Sequence, residues 1–179
     1  MEAAERFDAL FDAHYAEVLA YALRRTASRA EAEDIAAETF AVACRRGASV
    51  PDPAIAWLYG VAKGLLRNQQ RSGRRRLRLV GRLSTERRAL GRDPAETVSE
   101  RDAAARAFSR LSASQREVLQ LIAWEGLDAD EAADVLGCST GAFRVRLHRA
   151  RRELAKQLGR VGHEGTGASS ISSPSHETR

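Results

Sequence analysis

Apolar residues in the first half of the chain recur at helical spacing. Over residues 7–22 they fall at i, i+3, i+4 and i+7, which is one face of an amphipathic helix. Ser28 followed by Glu31 forms a capping box and predicts the start of a second helix. Residues 47–53 are rich in helix breakers and predict a loop, after which a third amphipathic helix starts near Ile55. The predicted buried positions of the second helix are Ile35, Thr39, Phe40 and Ala43.

The second half of the chain repeats this pattern after an interruption. Apolar periodicity is lost over residues 83–100 and returns at Asp102. Ser112 and Gln115 form another capping box before an apolar helix that Gly126 ends. Two further helices are predicted around residues 128–136 and 140–159, and strand-like alternation is absent from the sequence.

These elements predict an all-α protein made of two small helical domains joined by a flexible linker, the C-terminal one a helix-turn-helix. The chain after Gly159 has too little apolar content to fold, so a disordered tail is expected. The predicted segments are a first domain (1–80), a linker (81–101), a second domain (102–160) and a tail (161–179).

Charge is unevenly distributed along the 179 residues. The net charge is +5, but residues 63–92 alone carry 11 basic residues and 1 acidic one. Residues 1–62 are acidic, with 10 acidic residues against 6 basic ones. A local basic stripe is typical of a contact with nucleic acid or another anionic surface.

Several classes of protein are not indicated. No apolar run approaches the roughly 18 residues of a membrane span, and the acidic N-terminus does not resemble a signal peptide. Cys44 and Cys138 belong to no metal or disulfide pattern, and no cofactor motif occurs. We therefore expect a cytoplasmic protein without a cofactor or metal.

Residues 128–154 have the spacing of a helix-turn-helix. Asp128 starts a helix, Gly137 supplies a sharp turn and Ser139 caps the next helix. At about 100° per residue, one stripe of the second helix is apolar and the opposite face is basic. The stripe consists of Phe143, Leu147, Ala150 and Leu154, and the opposite face of Arg144, Val145, His148, Arg149 and Arg152, with Arg146 and Arg151 on the flanks.

This basic face has two interpretations. A recognition helix in the major groove would use Arg on guanine edges, Val on thymine methyl groups and flanking Arg on phosphates. A solvated amphipathic helix would carry the same residue types. A metal site at His148 is not indicated, because no second metal ligand lies one helical turn away from it. The scaffold helix, the Gly turn and the capping Ser together favour the recognition helix.

The first domain carries an acidic pair and a basic edge. Asp34 and Glu38 are spaced i, i+4, which allows a catalytic or metal-binding pair, a solvated face, or a docking patch for a basic protein. In the third helix Lys63, Arg67 and Arg71 recur at i+4 with Asn68 beside them, a pattern suited to single-stranded nucleic acid. Trp57 and Tyr59 are expected to be core residues rather than stacking platforms.

Three motifs together resemble one known family. They are AEDIAAETF (32–40), AWLYGVAKGLL (56–66) and the stretch LSASQREVLQLIAWEGLDADEAADVLGCSTGAFRVRLHRARREL (111–154). In this order and spacing they resemble the ECF (extracytoplasmic-function) sigma factors of bacterial RNA polymerase.

The resemblance implies a transcription initiation factor, not an enzyme, that binds core RNA polymerase and promoter DNA. Its first domain would dock on the polymerase and hold the melted −10 element, and its second would read the −35 element as duplex. An anti-sigma factor is a common partner in the family. The implied docking residues are Asp34, Ala37 and Glu38; the −10 residues are Ser49, Lys63, Arg67, Asn68, Arg71, Arg74 and Arg75; the −35 residues are Ser139, Thr140, Arg144, Val145, Arg146, His148, Arg149, Arg151 and Arg152.

The sequence departs from the family at three places. Ala37 stands where Gln is frequent, Gly64 replaces a frequent Asn, and residues 142–145 read Ala-Phe-Arg-Val in place of Thr-Val-Lys-Ser. Two alternatives therefore stay open at this point. One is an autonomous helix-turn-helix repressor or activator that dimerises through its first domain, and the other is an enzyme that uses Asp34 and Glu38.

Overall fold

The computed structural model describes the backbone of residues 2–80 and 100–166 and the side chains of residues 4–72 and 103–160. Over this part of the chain the regular elements are helices and no strand occurs, which confirms the all-α prediction. The predicted linker, apart from its last two residues, and most of the predicted tail lie outside the described residues. The helices are α1 (Glu2–Leu23), α2 (Arg29–Arg46), α3 (Ile55–Val80), α4 (Glu100–Ser109), α5 (Ala113–Ala123), α6 (Ala129–Leu136) and α7 (Thr140–Thr166).

The described helices fall into two compact units. The first contains α1, α2, α3 and the chain from Leu121 to Phe143, which includes α6. The second contains α4, most of α5 and α7 from Arg144 onward. This division does not follow the boundaries of the predicted domains, because α6 packs against α3.

Aromatic and small apolar side chains form the core of the first unit. Helices α1, α2 and α3 pack against one another in all three pairs. The ring of Phe11 stacks on Tyr15 at 4.7 Å and meets the edge of Phe40 at 4.9 Å. The four predicted buried positions of α2 are all buried, and the Thr39 hydroxyl donates to the carbonyl oxygen of Ile35 at 2.7 Å.

Predicted caps define the helix starts. The Ser28 hydroxyl accepts from the backbone N–H of Glu31 at 3.2 Å, and the Glu31 carboxylate accepts from the N–H of Ala27 at 3.0 Å. At the start of α5, Ser112 and Gln115 form both bonds of the predicted capping box. These bonds satisfy N–H groups that have no partner within the helix.

Glycines end two of the helices. Gly126, with a φ of +68°, follows α5, and the N–H of Leu127 donates back to the carbonyl of Leu121 at 3.1 Å. Gly137, with a φ of +64°, ends α6. This left-handed conformation favours glycine, which has no Cβ to clash with the following carbonyl.

Two expectations need correction. Helix α7 continues through the predicted end at Gly159 to Thr166 and includes Gly159, Gly162 and Gly165. Each glycine costs a helix only about 1 kcal/mol and does not by itself stop it. Trp57 is half-buried instead of a core residue, with the Arg46 guanidinium 5.7 Å from its ring centre. Tyr59, by contrast, is buried as expected.

Candidate nucleic-acid interface

The helix-turn-helix is built by local capping bonds. The Asp128 carboxylate accepts from the N–H groups of Asp130 and Glu131 at 2.8 and 2.9 Å, and the Glu131 carboxylate accepts from the N–H of Asp128. After Gly137, the Ser139 hydroxyl accepts from the N–H of Ala142 at 3.3 Å and caps α7. The predicted scaffold helix, turn and second helix are therefore all present.

A side-chain bond also joins the two helices of this motif. The Thr140 hydroxyl at the start of α7 donates to the Asp130 carboxylate in the first turn of α6. Thr140 is half-buried, while Ser139 is exposed. Thr140 was predicted as a DNA-binding residue, and the structure gives its hydroxyl an intramolecular partner.

Helix α7 separates an apolar stripe from a basic face, as its helical angles predict. Phe143 and Ala150 are fully buried, Leu147 is 9% exposed and Leu154 is half-buried. Val145, the apolar side chain within the basic face, is 51% exposed. All seven predicted face and flank residues of α7 are exposed: Arg144, Val145, Arg146, His148, Arg149, Arg151 and Arg152.

The predicted basic edge of α3, formed by Lys63, Arg67, Asn68 and Arg71, is only partly exposed to solvent. Arg67, Asn68 and Arg71 are exposed. Lys63 is half-buried, and its Nζ donates to the backbone carbonyl of Val135 in α6 at 2.9 Å. Exposed Ser49 lies in a short 3-10 turn after α2, whereas the side chains of Arg74 and Arg75 lie outside the described residues.

The acidic pair lies on the outer face of α2. Asp34, Ala37 and Glu38 are exposed, while their neighbours Ile35 and Thr39 are buried. The two carboxylates therefore face solvent, where they are accessible to a protein partner.

A cluster of charged side chains around Glu125 was not predicted from the sequence. The carboxylate of Glu125 is fully shielded from solvent and pairs with Arg24 and with Arg25, the latter at 2.9 Å. The Arg25 guanidinium also lies 3.6 Å from the ring centre of Tyr21, which stacks on Tyr59 at 4.7 Å. Glu125 is 101 positions from Arg24 and 100 from Arg25, so no local spacing could predict the cluster.

The same cluster affects one titratable group. Burial raises the pKa of Tyr59, and the negative charge of Glu125 raises it further, because both disfavour the phenolate. The neighbouring Arg24 and Arg25 act in the opposite direction but more weakly.

Neither a metal-binding cluster nor a membrane-spanning helix occurs among the described residues. Within 2–80 and 100–166 no group of His, Cys, Asp and Glu could hold a metal ion. No helix in these ranges has the length and apolar content needed to cross a membrane.

Family models match both halves of the chain. Residues 10–76 match the model of Sigma-70 region 2, and residues 101–154 match that of Sigma-70 region 4. The ECF RNA polymerase sigma factor SigL of Mycobacterium tuberculosis is 36% identical over 163 residues, covering 86% of this chain and 89% of SigL. The chain belongs to the ECF sigma factors. BldN of Streptomyces coelicolor, another ECF sigma factor, is 32% identical over 87% of this chain and 61% of its own length.

Solved structures agree with the fold of this sigma factor. The sigma factor RpoE of Bartonella quintana, solved with the anti-sigma factor NepR, superimposes with a TM-score of 0.66 at 24% identity, covering 87% of this chain and 98% of RpoE. CnrH, solved with the cytosolic domain of CnrY, superimposes with a TM-score of 0.59 at 23% identity, covering 88% of this chain and 90% of CnrH. The family is one of transcription initiation factors, so neither the repressor nor the enzyme alternative is favoured.

Proposed function

We propose that this sigma factor divides promoter recognition between its two predicted domains. Residues 1–80 dock on core polymerase and hold the melted −10 element, and residues 102–160 read the −35 element as duplex. The observation that carries this assignment is the exposed basic face of α7 behind a fully capped turn.

The −35 element is read by the exposed face of α7. Arg144 near the start of the helix and Arg149 farther along it suit bidentate bonds to guanine, and the exposed methyl groups of Val145 suit a thymine methyl. Arg146 and Arg151 on the flanks suit phosphate contacts, which fix the register without reading sequence. Thr140 contributes through its backbone and its link to Asp130 instead of a free hydroxyl.

The −10 element is held along the edge of α3. Exposed Arg67 and Arg71 bind the phosphates of the unpaired strand, and Asn68 can bond a base edge. Lys63 extends the edge toward the start of the helix, and Ser49 contributes from the turn after α2. Arg74 and Arg75 are included in the proposal because of their charge in the sequence.

Core polymerase is bound by the acidic face of α2. The exposed carboxylates of Asp34 and Glu38 complement a basic protein surface, and Ala37 between them leaves room for close approach. The proposed location is the cytoplasm, where the polymerase works. An anti-sigma factor completes the set of partners, as in the complexes of RpoE with NepR and of CnrH with CnrY.

Docking is tested by binding to purified core polymerase. We expect the double variant D34N/E38N to bind core at least about tenfold more weakly than the wild type, because two charge pairs are lost. The control is Asp12→Asn, which removes an exposed carboxylate from α1. Equal binding of the double variant and the wild type in a sedimentation assay would contradict the docking assignment.

A further inference from the structure

One side-chain hydrogen bond joins the two helices of the helix-turn-helix outside the turn that connects them. The hydroxyl of Thr140, the first residue of α7, donates to the carboxylate of Asp130 in the first turn of α6. The two residues are ten positions apart, so the bond spans the scaffold helix, the turn and the start of α7. A hydroxyl has a single hydrogen to donate, so this one is directed to α6 and not to DNA.

Both partners of this bond are held in place by local backbone contacts. The Asp128 carboxylate accepts from the backbone N–H of Asp130 at 2.8 Å, which holds Asp130 in the first turn of α6. The Ser139 hydroxyl accepts from the N–H of Ala142 at 3.3 Å, which holds the backbone on either side of Thr140. Thr140 is also β-branched, so its side chain has few allowed rotamers. The bond therefore joins two well-defined points and resists rotation of α7 about its own axis.

Thr140 begins a row of side chains that continues onto the proposed −35 reading face. Arg144, His148 and Arg152 follow it at intervals of four residues, and all three are exposed. Residues spaced by four lie on the same side of a helix, so a rotation at Thr140 turns the whole row. A rotation of about 10° moves a group that lies about 8 Å from the helix axis by about 1.4 Å. Binding groups need to lie within about 0.5 Å of their productive positions, so this rotation would disrupt a bidentate bond to a base.

We propose that Asp130 and Thr140 are positioning residues that fix the rotation of α7 and thereby set how strictly the −35 sequence is read. This inference rests on the proposed −35 role of α7. It gives a function to Asp130, which belongs to none of the predicted contact sets. Neither residue has to contact a base, because both act through the arginines on the same helix.

The charge of Asp130 and its accepting oxygen have opposite effects on DNA binding. The negative charge lies at the start of a helix that binds an anionic duplex, so its removal strengthens binding to every sequence. The oxygen holds Thr140, so its removal releases α7 and weakens discrimination between sequences. Asp130→Asn removes the charge but keeps an accepting oxygen, whereas Asp130→Ala removes both. The two variants together therefore separate positioning from electrostatics.

The test measures base preference with the complete holoenzyme. Core polymerase carrying the full chain selects duplexes from a pool randomised over the −35 element, and sequencing of the bound fraction gives the preference for the best base over the next at each position. Thr140→Val keeps the shape of the side chain but loses the hydroxyl, and it should lower the strongest preferences at least about threefold. Thr140→Ser keeps the hydroxyl and should retain the wild-type preferences.

The Asp130 variants give a second, independent readout. Asp130→Ala should lose base preference like Thr140→Val, yet bind a duplex with a scrambled −35 element more tightly than the wild type. Asp130→Asn should also bind the scrambled duplex more tightly but keep its base preference. The matched control is Asp134→Ala, which removes an exposed carboxylate one turn farther along α6 and should leave base preference unchanged. The double variant D130A/T140V should lose no more preference than Thr140→Val alone, because both changes break the same bond.

The proposal is overturned if Thr140→Val or Asp130→Ala keeps the wild-type base preference, or if Asp134→Ala loses as much. Thermal unfolding of each variant accompanies the selection. A merely structural role would lower the unfolding temperature and weaken binding to all duplexes by the same factor, which also contradicts positioning. A wild-type holoenzyme that selects no −35 sequence would contradict the proposed function itself, so the two failures are distinguishable.

Discussion

Single side chains of α7 differ in what they can contribute to DNA recognition. Arg149 is exposed on the face opposite Phe143 and Leu147, so its planar pair of donors is accessible to the proposed DNA partner. Thr140 shows the opposite case, since its hydroxyl already donates to Asp130. The family resemblance implied both as −35 residues, and the three-dimensional contacts now distinguish them.

Replacing Arg149 tests base readout at one position. If Arg149 bonds a guanine, Arg149→Ala should cost about 1–3 kcal/mol of binding free energy on the cognate −35 duplex and little on a duplex changed at that base. Binding by the holoenzyme to duplexes that vary one base at a time measures this. The control is Lys156→Ala, a residue exposed farther along α7. Equal losses on every duplex would mark Arg149 as a phosphate contact instead.

The buried phenol of Tyr59 gives a pH dependence of stability. Its pKa is raised in the folded state by burial and by Glu125, so the folded protein keeps this proton when unfolded tyrosine loses it near pH 10. The contribution is fully present below about pH 10 and is lost as the pH rises further, so the free energy of unfolding should fall.

Tyr59→Phe should make this alkaline fall less steep, as measured by urea unfolding between pH 8 and 11. Tyr15→Phe is the control, because Tyr15 is only partly buried. An identical fall in the wild type and Tyr59→Phe would show that other groups carry the pH dependence.

At the scale of helices, the turn between α6 and α7 sets the direction in which the proposed recognition helix α7 leaves α6. Gly137 holds a left-handed φ of +64°, and its N–H bonds the Asp134 carbonyl at 3.0 Å. The N–H of Cys138 donates to the Ala133 carbonyl at 3.0 Å, which completes the end of α6.

Gly137→Ala should lower the free energy of unfolding by about 1–2 kcal/mol, since an L side chain is strained in this conformation. The matched control is Gly141→Ala in the first turn of α7, which should stabilise the helix by up to about 1 kcal/mol. A Cβ at either position meets no atom within 4 Å, so backbone conformation alone separates the two substitutions. Thermal or urea unfolding should therefore give changes of opposite sign, and equal changes would contradict this account.

Most of the helices and their caps could be predicted from the sequence because those signals are local. The capping pairs at Ser28 and Ser112, the turn at Gly137 and the buried stripe of α7 each depend on residues within a few positions of one another. The pairing of Glu125 with Arg24 and Arg25 could not be predicted, because it depends on how distant helices pack. The end of α7 was also missed, because helix propensity alone does not define where a polar helix stops.

At the scale of the whole molecule, the net charge of +5 is the sum of three segments of different charge. The acidic first third contains the proposed docking face of α2, and the basic stretch 63–92 begins on the proposed −10 edge. The proposed recognition helix α7 is basic within a nearly neutral last part, with 7 basic residues and 1 acidic one over residues 144–160. This separation suits a protein that binds both a basic protein surface and DNA.

Transcription by purified core RNA polymerase, with and without this protein, tests the central claim most directly. The template should carry the promoter region upstream of the protein's own gene together with a pool of genomic fragments. We predict transcripts with defined start sites that appear only when the protein is added, and that D34N/E38N reduces while Asp12→Asn does not. The absence of any protein-dependent transcript from all templates, together with no complex with core polymerase, would contradict the account.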